Sequence, residues 1–406
     1  MGLGTITEQD IRDAQERITP YIRRTPYIPF DYLSQQSGQI ISAKCESLQR
    51  TGSFKLRGAA NCILSQMEKA KKAGVVAASA GNHAQGVAAI CSVLGIRATI
   101  CMPLPTPAIK VMNTRKWGAT VELVGQTYDD AYAHATQLAA ERGYLFVPAY
   151  RNELVIAGQG TIGLELTEES TFKDCEAVVV SVGGGGISTG ISTFLRAVRP
   201  DIKIYGVTAR NAPSAWRSFH EGTLVDETPK FTLAEGVAAK CTERDMLDCM
   251  ENSLDDFFAV SEDSIASAVA ILAEHGKLIV EGAGALPVAA VMEGLIPQKN
   301  VTVILSGGNI DLTALSLVLR RGLVKQGRLI QLQVTVSDRP GGLAGVTRIL
   351  AEKGANVIEV HHQRGSVLTA FGDTKVEFEI EAKGPDHAED IMQSLSLAGF
   401  PVERNV

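Results

Sequence analysis

The sequence lacks the features that direct a chain into or across a membrane. Residues 1–10 contain no basic stretch followed by an apolar run, so we expect no secretory leader. Ile6 stands where a myristoylation signal needs serine or threonine. No apolar run reaches the roughly 18 residues that a spanning helix requires. The chain also has no excess of positive charge, since its formal net charge is −6. We therefore predict neither a membrane nor a nucleic acid as partner.

The sequence also lacks paired cysteines. Its seven cysteines are odd in number and scattered, and none are spaced as C-x-x-C. Cys91 and Cys101, for example, lie inside apolar runs. This pattern is typical of small core residues in a reducing compartment, so we predict a cytoplasmic protein.

The length of 406 residues exceeds one ordinary core and predicts two or three domains. A Thr7–Asp10 pair is expected to cap a first amphipathic helix. From about residue 39 to 322, short β-rich runs alternate with helical stretches, which predicts an α/β fold with a mostly parallel sheet covered by helices. The expected strands are Ile40–Ala43, Val75–Ser79, Ala98–Met102, Val121–Val124, Ala177–Val182, Ile202–Val207 and Val301–Leu305.

The last 77 or so residues follow a different pattern, which predicts the order βαββαβ. The segment Arg320–Gly327 is the expected linker, which separates a region 1–325 from a regulatory-sized domain 330–406. The expected elements of that domain are Leu329–Val336, Leu343–Lys353, Val357–Gln363, Lys375–Ala382, Asp386–Ala398 and Pro401–Glu403.

Three predicted strands run directly into glycine-containing turns that open helices. The turns are Ser79–Gly86, Gly183–Ser188 and Ser306–Asn309. In a parallel sheet, such turns lie at the carboxyl ends of strands, where ligands bind. Free amide groups at a helix N-terminus attract anions.

The four successive glycines Gly183, Gly184, Gly185 and Gly186 favour a phosphate site. Without Cβ atoms, the backbone can curl round a phosphate with its N–H groups pointing inward. The alternative is a flexible turn with no ligand. The sequence has no G-x-x-x-x-G-K-[S/T] motif, and the tetraglycine lacks the spacing of a dinucleotide site.

One lysine, Lys55, stands between Phe54 and Leu56 in the segment S-F-K-L-R-G. A partly apolar pocket would lower the pKa of its amine and favour a nucleophile. Taken alone, the residue fits a solvated surface charge better, because most lysines are of that kind.

Together these segments resemble the fold-type-II (tryptophan synthase β-like) pyridoxal-phosphate family and, within it, the threonine/serine dehydratases. The resemblance covers residues 5–322 and includes the A-G-Q-G-T segment 157–161 and the E-G-A-G segment 281–284. It implies a large domain and a smaller mobile one, here about residues 60–147. It also implies that Lys55 is the Schiff-base lysine and that the cofactor is held by Phe54, Lys55, Asn82, Gly183, Gly184, Gly185, Gly186 and Ser306.

The resemblance further implies β-elimination from L-threonine, which yields 2-oxobutanoate and ammonia. Ser306, a neutral partner for the cofactor ring nitrogen, would make the ring a weaker electron sink and so favour prompt elimination. The residues expected to hold the substrate carboxylate are Ser79, Gly81, Asn82 and His83. L-Serine dehydration as the main role, or a non-catalytic amino-acid sensor, are the alternatives.

Two positions depart from relatives within this family. Ala80 replaces the serine that racemases use as a second base, so we expect poor racemisation. Thr208–Arg210 offers no acidic residue where some relatives bind a divalent metal. His361 and His362 are neighbours on a predicted strand and face opposite sides. We therefore predict no metal site.

Residues 330–406 resemble an ACT domain, an amino-acid-binding module. Its strand-to-helix turn would place Asp338, Gly341, Gly342 and Leu343 at an effector carboxylate. Isoleucine or valine is the expected effector in a biosynthetic setting. A dimerisation domain without ligand is the alternative, and in either case we expect a homo-oligomer, a dimer or a tetramer.

Overall fold

A computed structural model describes residues 3–240, 243–363 and 371–405. The chain divides into two units, Met1–Asp311 and Leu312–Val406. In the first unit, ten strands form two sheets. They are β1 (Tyr27–Pro29), β2 (Ile40–Lys44), β3 (Val75–Ala78), β4 (Ala98–Met102), β5 (Thr120–Leu123), β6 (Leu145–Phe146), β7 (Ala177–Ser181), β8 (Lys203–Ala209), β9 (Asp256–Val260) and β10 (Asn300–Ile304).

The larger sheet has the order β1-β2-β10-β7-β8-β9, and the smaller has the order β5-β4-β3-β6. Every pairing in them is parallel except that of β1 with β2. The central strands β3 and β7 are buried at every position. Sheets buried on both faces need helical cover on both sides. The α/β parallel-sheet prediction is confirmed.

Thirteen α-helices of the first unit connect or cover these strands within the described residues. They are α1 (Glu8–Ile18), α2 (Asp31–Ser37), α3 (Lys55–Ser65), α4 (Met67–Ala73), α5 (Asn82–Leu94), α6 (Ala108–Arg115), α7 (Tyr128–Arg142), α8 (Glu153–Thr167), α9 (Gly186–Val198), α10 (Ser214–Glu221), α11 (Arg244–Ser253), α12 (Glu262–Glu274) and α13 (Gly282–Met292). Short 3₁₀ turns span Glu46–Leu48, Ser170–Asp174 and Glu235–Val237.

Glycines let the helix that begins at Lys55 approach its neighbours closely. A Cβ atom added at Gly158 on α8 would lie 2.7 Å from Gly58 Cα on α3, and one added at Gly190 on α9 would lie 2.4 Å from Ile156 O. A side chain at either position would push the helices apart. The A-G-Q-G-T segment thus holds α3, and with it Lys55, close against α8.

A fully buried group of four charges also anchors α3. The Arg57 guanidinium donates to Glu46 and Glu165, and Lys44 Nζ lies 2.6 Å from Glu165 Oε2. All four side chains are fully buried, and their charges sum to zero. Because each ion is paired and hydrogen-bonded, the group avoids the large cost of an isolated buried charge. It holds the residue two positions after Lys55 in one place.

The second unit begins with the helix α14 (Leu312–Lys325), which is followed by the βαββαβ order that we predicted. Its elements are β11 (Leu329–Ser337), α15 (Gly342–Glu352), β12 (Asn356–Gln363), β13 (Asp373–Glu381), α16 (Pro385–Leu397) and β14 (Val402–Asn405). The sheet order is β12-β13-β11-β14, with antiparallel pairing throughout. A single apolar cluster lies between this sheet and its two helices.

The expected linker Arg320–Gly327 needs correction. Residues Arg320 to Lys325 form the last turns of α14 rather than an irregular segment. Leu315 and Val318 are the buried residues of this helix, and their spacing is that of one helical face.

Other local predictions can be compared directly with the structure. The Thr7 side chain accepts from the Asp10 amide, and Asp10 accepts from the Thr7 amide, which confirms the cap. The six cysteines among the described residues are free, and five of them are buried. In the described part of the chain, no helix has the length and apolar composition needed to cross a bilayer.

Candidate active site

Lys55 begins α3, and a backbone carbonyl holds its side chain. Its Nζ donates to Ala149 O at 2.9 Å and lies 5.0 Å from the centre of the Phe54 ring. Burial lowers the pKa of this amine to about 8, and the nearby Glu281 carboxylate partly opposes that shift. A lysine in this setting is neutral far more often near pH 7–8 than an ordinary one, as a nucleophile or base requires.

Asn82 opens α5 and lies in a chain of side-chain hydrogen bonds. Its Nδ2 donates to Glu281 Oε1 at 2.6 Å, and its Oδ1 accepts from Asn309 Nδ2 at 2.7 Å. Asn309 also donates to Thr51 O at 2.8 Å. The Asn82 amide is therefore fixed from both ends, and the first and third glycine turns meet at this residue.

Glu281 is a residue of this site that the sequence analysis left without a role. Burial raises the pKa of its carboxyl to about 7, while the hydrogen bond from Asn82 lowers it. Its Oε1 packs so closely on Gly307 that a Cβ atom there would lie 2.3 Å away. The E-G-A-G segment was the only sequence signal for it, because 199 positions separate Glu281 from Asn82.

The tetraglycine forms the turn between β7 and α9. Gly185 has a φ of 81°, a left-handed conformation that favours glycine, and it precedes the first residue of α9. A Cβ atom at Gly184 would lie 2.6 Å from the Tyr150 ring, and one at Gly183 would lie 2.8 Å from Val237 Cα. The neighbouring Ala149 is the acceptor for Lys55 Nζ. The segment 149–150 thus touches both Lys55 and the tetraglycine.

Ser79, Gly81 and Ser306 adjoin these groups through the backbone. The Ser79 hydroxyl accepts from the Gly81 amide at 3.1 Å, and a Cβ atom at Gly81 would meet nothing within 4 Å. The Phe54 amide donates to Ser306 O at 3.0 Å. The turn Ser79–Asn82 therefore borders open space, and Ser306 lies against the residue before Lys55.

The His83 side chain faces away from the role that we expected for it. Its ring is buried, and Nε2 lies 2.9 Å from Val147 O. Burial, and next the charge of Lys55, lower the pKa of the ring to about 3. A neutral ring that donates from Nε2 presents only an acceptor at Nδ1. This geometry does not support the His83 side chain as a donor to a substrate carboxylate.

Two buried hydroxyls at the site need a partner that the described protein does not provide. Ser53 Oγ, two residues before Lys55, and Thr189 Oγ1, in the first turn of α9, have no hydrogen-bond partner among the described residues. Buried polar groups are nearly always paired, so orphans point to a bound group. The site thus combines a lysine with a lowered pKa, a helix N-terminus that attracts anions and two hydroxyls without a partner among the described residues. This combination fits pyridoxal phosphate.

The four expected effector residues lie together in the second unit. Gly341 has a φ of 99° and precedes α15, and a Cβ atom there would meet nothing within 4 Å. At Gly342 a Cβ atom would lie 2.4 Å from Ser337 O. The Asp338 amide donates to Gly372 O, and Leu343 packs on the apolar cluster. The start of α15 therefore has space for a side chain at Gly341 and none at Gly342.

The two histidines for which we predicted no metal role, His361 and His362, are both exposed on β12, and His361 pairs with Glu359.

Comparisons with known proteins agree with this arrangement. Residues 18–307 match the family model described as pyridoxal-phosphate dependent enzyme, and residues 330–395 match the ACT domain model. An L-threonine ammonia-lyase of Thermotoga maritima is 42% identical over 98% of this chain and 99% of its own length.

Two solved structures are similar to most of the chain. A threonine deaminase from the organism abbreviated T.th. is 37% identical and superposes with a TM-score of 0.71 over 75% of this chain and 99% of its own. Maize serine racemase is 29% identical, with a TM-score of 0.73 over 80% of this chain and 100% of its own. The chain belongs to the family of pyridoxal-phosphate dependent enzymes, and it carries an ACT domain at its C-terminal end.

Proposed function

We propose that this protein is an L-threonine ammonia-lyase that converts L-threonine to 2-oxobutanoate and ammonia, with L-serine as a second substrate. The observation that carries the proposal is the 42% identity to an L-threonine ammonia-lyase over nearly all of both chains. The likeness includes the ACT domain as well as the catalytic unit, because 98% of this chain is covered. The geometry around Lys55 supports it independently.

Pyridoxal phosphate, when bound, supplies an electron sink, which takes up the electrons of a bond that breaks at the substrate Cα. The residues that would hold it are Lys55 with Phe54, the tetraglycine, Asn82 and Ser306. The tetraglycine amides at the start of α9 would bind the phosphate. Asn82, fixed between Glu281 and Asn309, would present its amide without rearrangement.

Lys55 would also move the proton from the substrate. The neutral amine of Lys55 would accept the Cα proton, and the pKa of about 8 leaves a useful fraction neutral at physiological pH. Ser79, Gly81 and Asn82 border the open space where the substrate carboxylate would lie. The β-hydroxyl leaves as water, and one water is returned when the enamine product hydrolyses to the oxoacid and ammonia.

The C-terminal unit would regulate this activity by binding an amino acid. The open helix start at Gly341 is the expected carboxylate contact, and isoleucine or valine is the proposed effector in isoleucine biosynthesis. We also propose a cytoplasmic homo-oligomer, a dimer or a tetramer. The edge strand β12 supports assembly, because Ile358 and Val360 are exposed on it.

Steady-state kinetics of the intact protein and of Lys55→Ala test the proposal. We expect 2-oxobutanoate from threonine, pyruvate from serine and a higher kcat/KM for threonine. The Lys55→Ala protein should lose at least the roughly 10²–10⁴-fold that a missing base costs. A higher kcat/KM for serine would make serine dehydration the main role. Threonine turnover near wild type in Lys55→Ala would refute the site.

A non-catalytic sensor is separated from the enzyme by the same samples. Mass spectrometry after borohydride reduction should place the cofactor on Lys55 in the wild-type protein. A protein that carries no cofactor and turns over neither amino acid would be a sensor rather than an enzyme.

A further inference from the structure

Three side chains with metal-binding atoms meet outside the candidate active site, on one face of the smaller sheet. Cys101 on β4 and Glu122 on β5 are register partners, so their side chains project from the same face. His134 on α7 reaches this face, and its Nε2 lies 2.8 Å from Glu122 Oε2. One ligand atom from each residue lies within 4.8 Å of the other two.

The three residues are enclosed to different degrees. Cys101 is fully buried in an apolar cluster with Ala131 and Ala135 of α7. The Glu122 and His134 side chains are 34% and 30% exposed. The sulfur is thus protected from solvent, while the carboxylate and the imidazole are the two ligands that solvent reaches.

We propose that Cys101, Glu122 and His134 form a site for a divalent cation of the zinc class, with water as the fourth ligand. Thiolate, imidazole and carboxylate together are the donors that zinc binds, usually in a tetrahedron. Magnesium and calcium prefer oxygen donors alone, so the buried sulfur disfavours them.

The geometry needs only a small adjustment to accept such an ion. Zinc bond lengths place ligand atoms about 3.3–3.8 Å apart in a tetrahedron. The His134–Glu122 pair, now at hydrogen-bond distance, would open by roughly 0.5–1 Å around the ion. Both side chains are partly exposed and can rotate towards the buried Cys101 sulfur, which lies within 4.8 Å of a ligand atom of each.

Zinc would bind Cys101 as the thiolate, so binding must release the thiol proton. Arg142 is the nearby competing cation, and its guanidinium donates to Tyr144 OH.

The site adjoins the catalytic residues without belonging to them. Cys101 O accepts from the Ser79 amide at 3.1 Å, so β4 is one hydrogen bond from the turn Ser79–Asn82. This inference departs from our sequence-based expectation of no metal site. The three residues lie at positions 101, 122 and 134, a spacing without a motif, and only the sheet register brings them together.

Metal binding to the full-length holoenzyme, prepared without a histidine tag, tests the proposal. The protein is equilibrated with Zn²⁺, gel-filtered and analysed for zinc, and the affinity is measured by calorimetry. We expect one zinc per chain in the wild type and an affinity weaker by about tenfold or more in Cys101→Ser, Glu122→Gln and His134→Gln. Cys175→Ser is the matched control, because this buried cysteine lies beside Thr302 on the other sheet.

Two results would overturn the site. One is the absence of stoichiometric zinc in the wild type, and the other is equal zinc affinity in the wild type and all three ligand variants. If Cys101→Ser fails to fold, the zinc affinities of Glu122→Gln and His134→Gln still test the site, because both of these side chains are partly exposed and lie outside the core. Cobalt gives a second measurement: a thiolate-to-cobalt absorption band should appear in the wild-type difference spectrum and in that of Cys175→Ser.

Discussion

Lys55 and Glu281 control each other's ionisation, although 226 positions separate them in the sequence. Burial moves both groups towards their neutral forms, to a pKa of about 8 for the amine and about 7 for the carboxyl. Their opposite charges counteract this effect, since each charge stabilises the other. Burial therefore sets most of the pKa shift of Lys55, and the charge of Glu281 raises the pH at which its amine becomes neutral.

We expect Glu281→Gln to shift that pH downward. Glutamine keeps an acceptor for Asn82 but removes the negative charge that raises the pKa of Lys55. The amine must be neutral to attack the cofactor carbonyl, so cofactor uptake by the apoenzyme should accelerate through a midpoint near pH 8 in the wild type. The variant should show a lower midpoint, and the two curves should converge below about pH 7, where Glu281 itself gains a proton.

The rate of cofactor uptake as a function of pH measures this midpoint. Glu243→Gln is the control, because that carboxylate contacts Tyr150 OH and is no partner of Asn82. An unchanged or higher midpoint in Glu281→Gln would show that its charge does not act on Lys55.

Ala80 makes a separate prediction about the stereochemical outcome. An alanine at this position has no group that can return a proton to the opposite face of the substrate. We expect the wild type to give little D-serine relative to pyruvate, and Ala80→Ser to give more. Chiral chromatography of a serine reaction measures both products, and Ala80→Gly controls for altered packing of the turn. Abundant D-serine from the wild type would contradict the prediction.

At the scale of elements, the seven predicted strands of the first unit were found, with ends displaced by at most two residues. Each is a short β-rich run bounded by turn residues, which is a strong local signal. The strands β1, β6 and β9 were missed. β6 has two residues and β1 has three including Pro29, so neither contains enough residues to show a pattern.

Some residues of the candidate site can be identified from short sequence motifs, and others only from the folded structure. Lys55, the glycine turns and Ser306 lie in short motifs that can be read in the sequence. Tertiary contacts alone bring the others into the site, because their partners are tens to hundreds of positions away in the sequence. These residues are Glu281, Tyr150 and Ala149. The neutral state of the His83 ring likewise comes from its burial and from the charge of Lys55, and no pattern around residue 83 indicates it.

The tetraglycine turn predicts how substitutions affect cofactor retention. In Gly184→Ala, the new Cβ atom would meet the Tyr150 ring at 2.6 Å, so the ring must move and retention should weaken. Gly184→Asp adds a negative charge beside the proposed phosphate site and should weaken retention further. The difference between the two variants isolates the charge from the steric effect.

Dialysis followed by absorbance measures retention, and inorganic phosphate should compete with cofactor in the wild-type apoenzyme. Gly163→Ala, on α8, is the control for a tightly packed glycine elsewhere, since its added Cβ atom would lie 3.1 Å from Ile191 O. A Gly184→Asp protein that purifies fully loaded and tightly bound would place the phosphate elsewhere.

At the scale of the whole molecule, the division between the two units lies at Asp311, before α14. The composition change near Arg320 suggested a later boundary, because α14 is a regular amphipathic helix that continues the pattern of the helices before it. Nothing local shows that this helix belongs to the second unit rather than the first. The contact of α14 with β11 assigns it to the second unit.

This boundary leads to a prediction with two truncated proteins. A chain that ends at Asp311 lacks the whole second unit. It should still bind the cofactor and turn over threonine, but should no longer respond to isoleucine or valine. A chain that ends at Lys325 keeps α14 but lacks β11, which that helix contacts, and should leave part of the helix uncovered. We therefore expect the longer protein to aggregate more readily than the shorter one.

Gly341→Asn tests the effector site in the intact chain. Asparagine tolerates the left-handed conformation of Gly341, but its side chain would occupy the open space at the start of α15. An effector changes activity only by binding two states of the enzyme unequally, and a coupling of about 1–3 kcal/mol would be ordinary. Titration with isoleucine or valine should therefore shift the apparent threonine affinity of the wild type by about 5–150-fold. The threonine affinities of Gly341→Asn and of the chain ending at Asp311 should stay unchanged. An equal response in that truncated chain would place the effector site within residues 1–311 and contradict a regulatory role for the ACT domain.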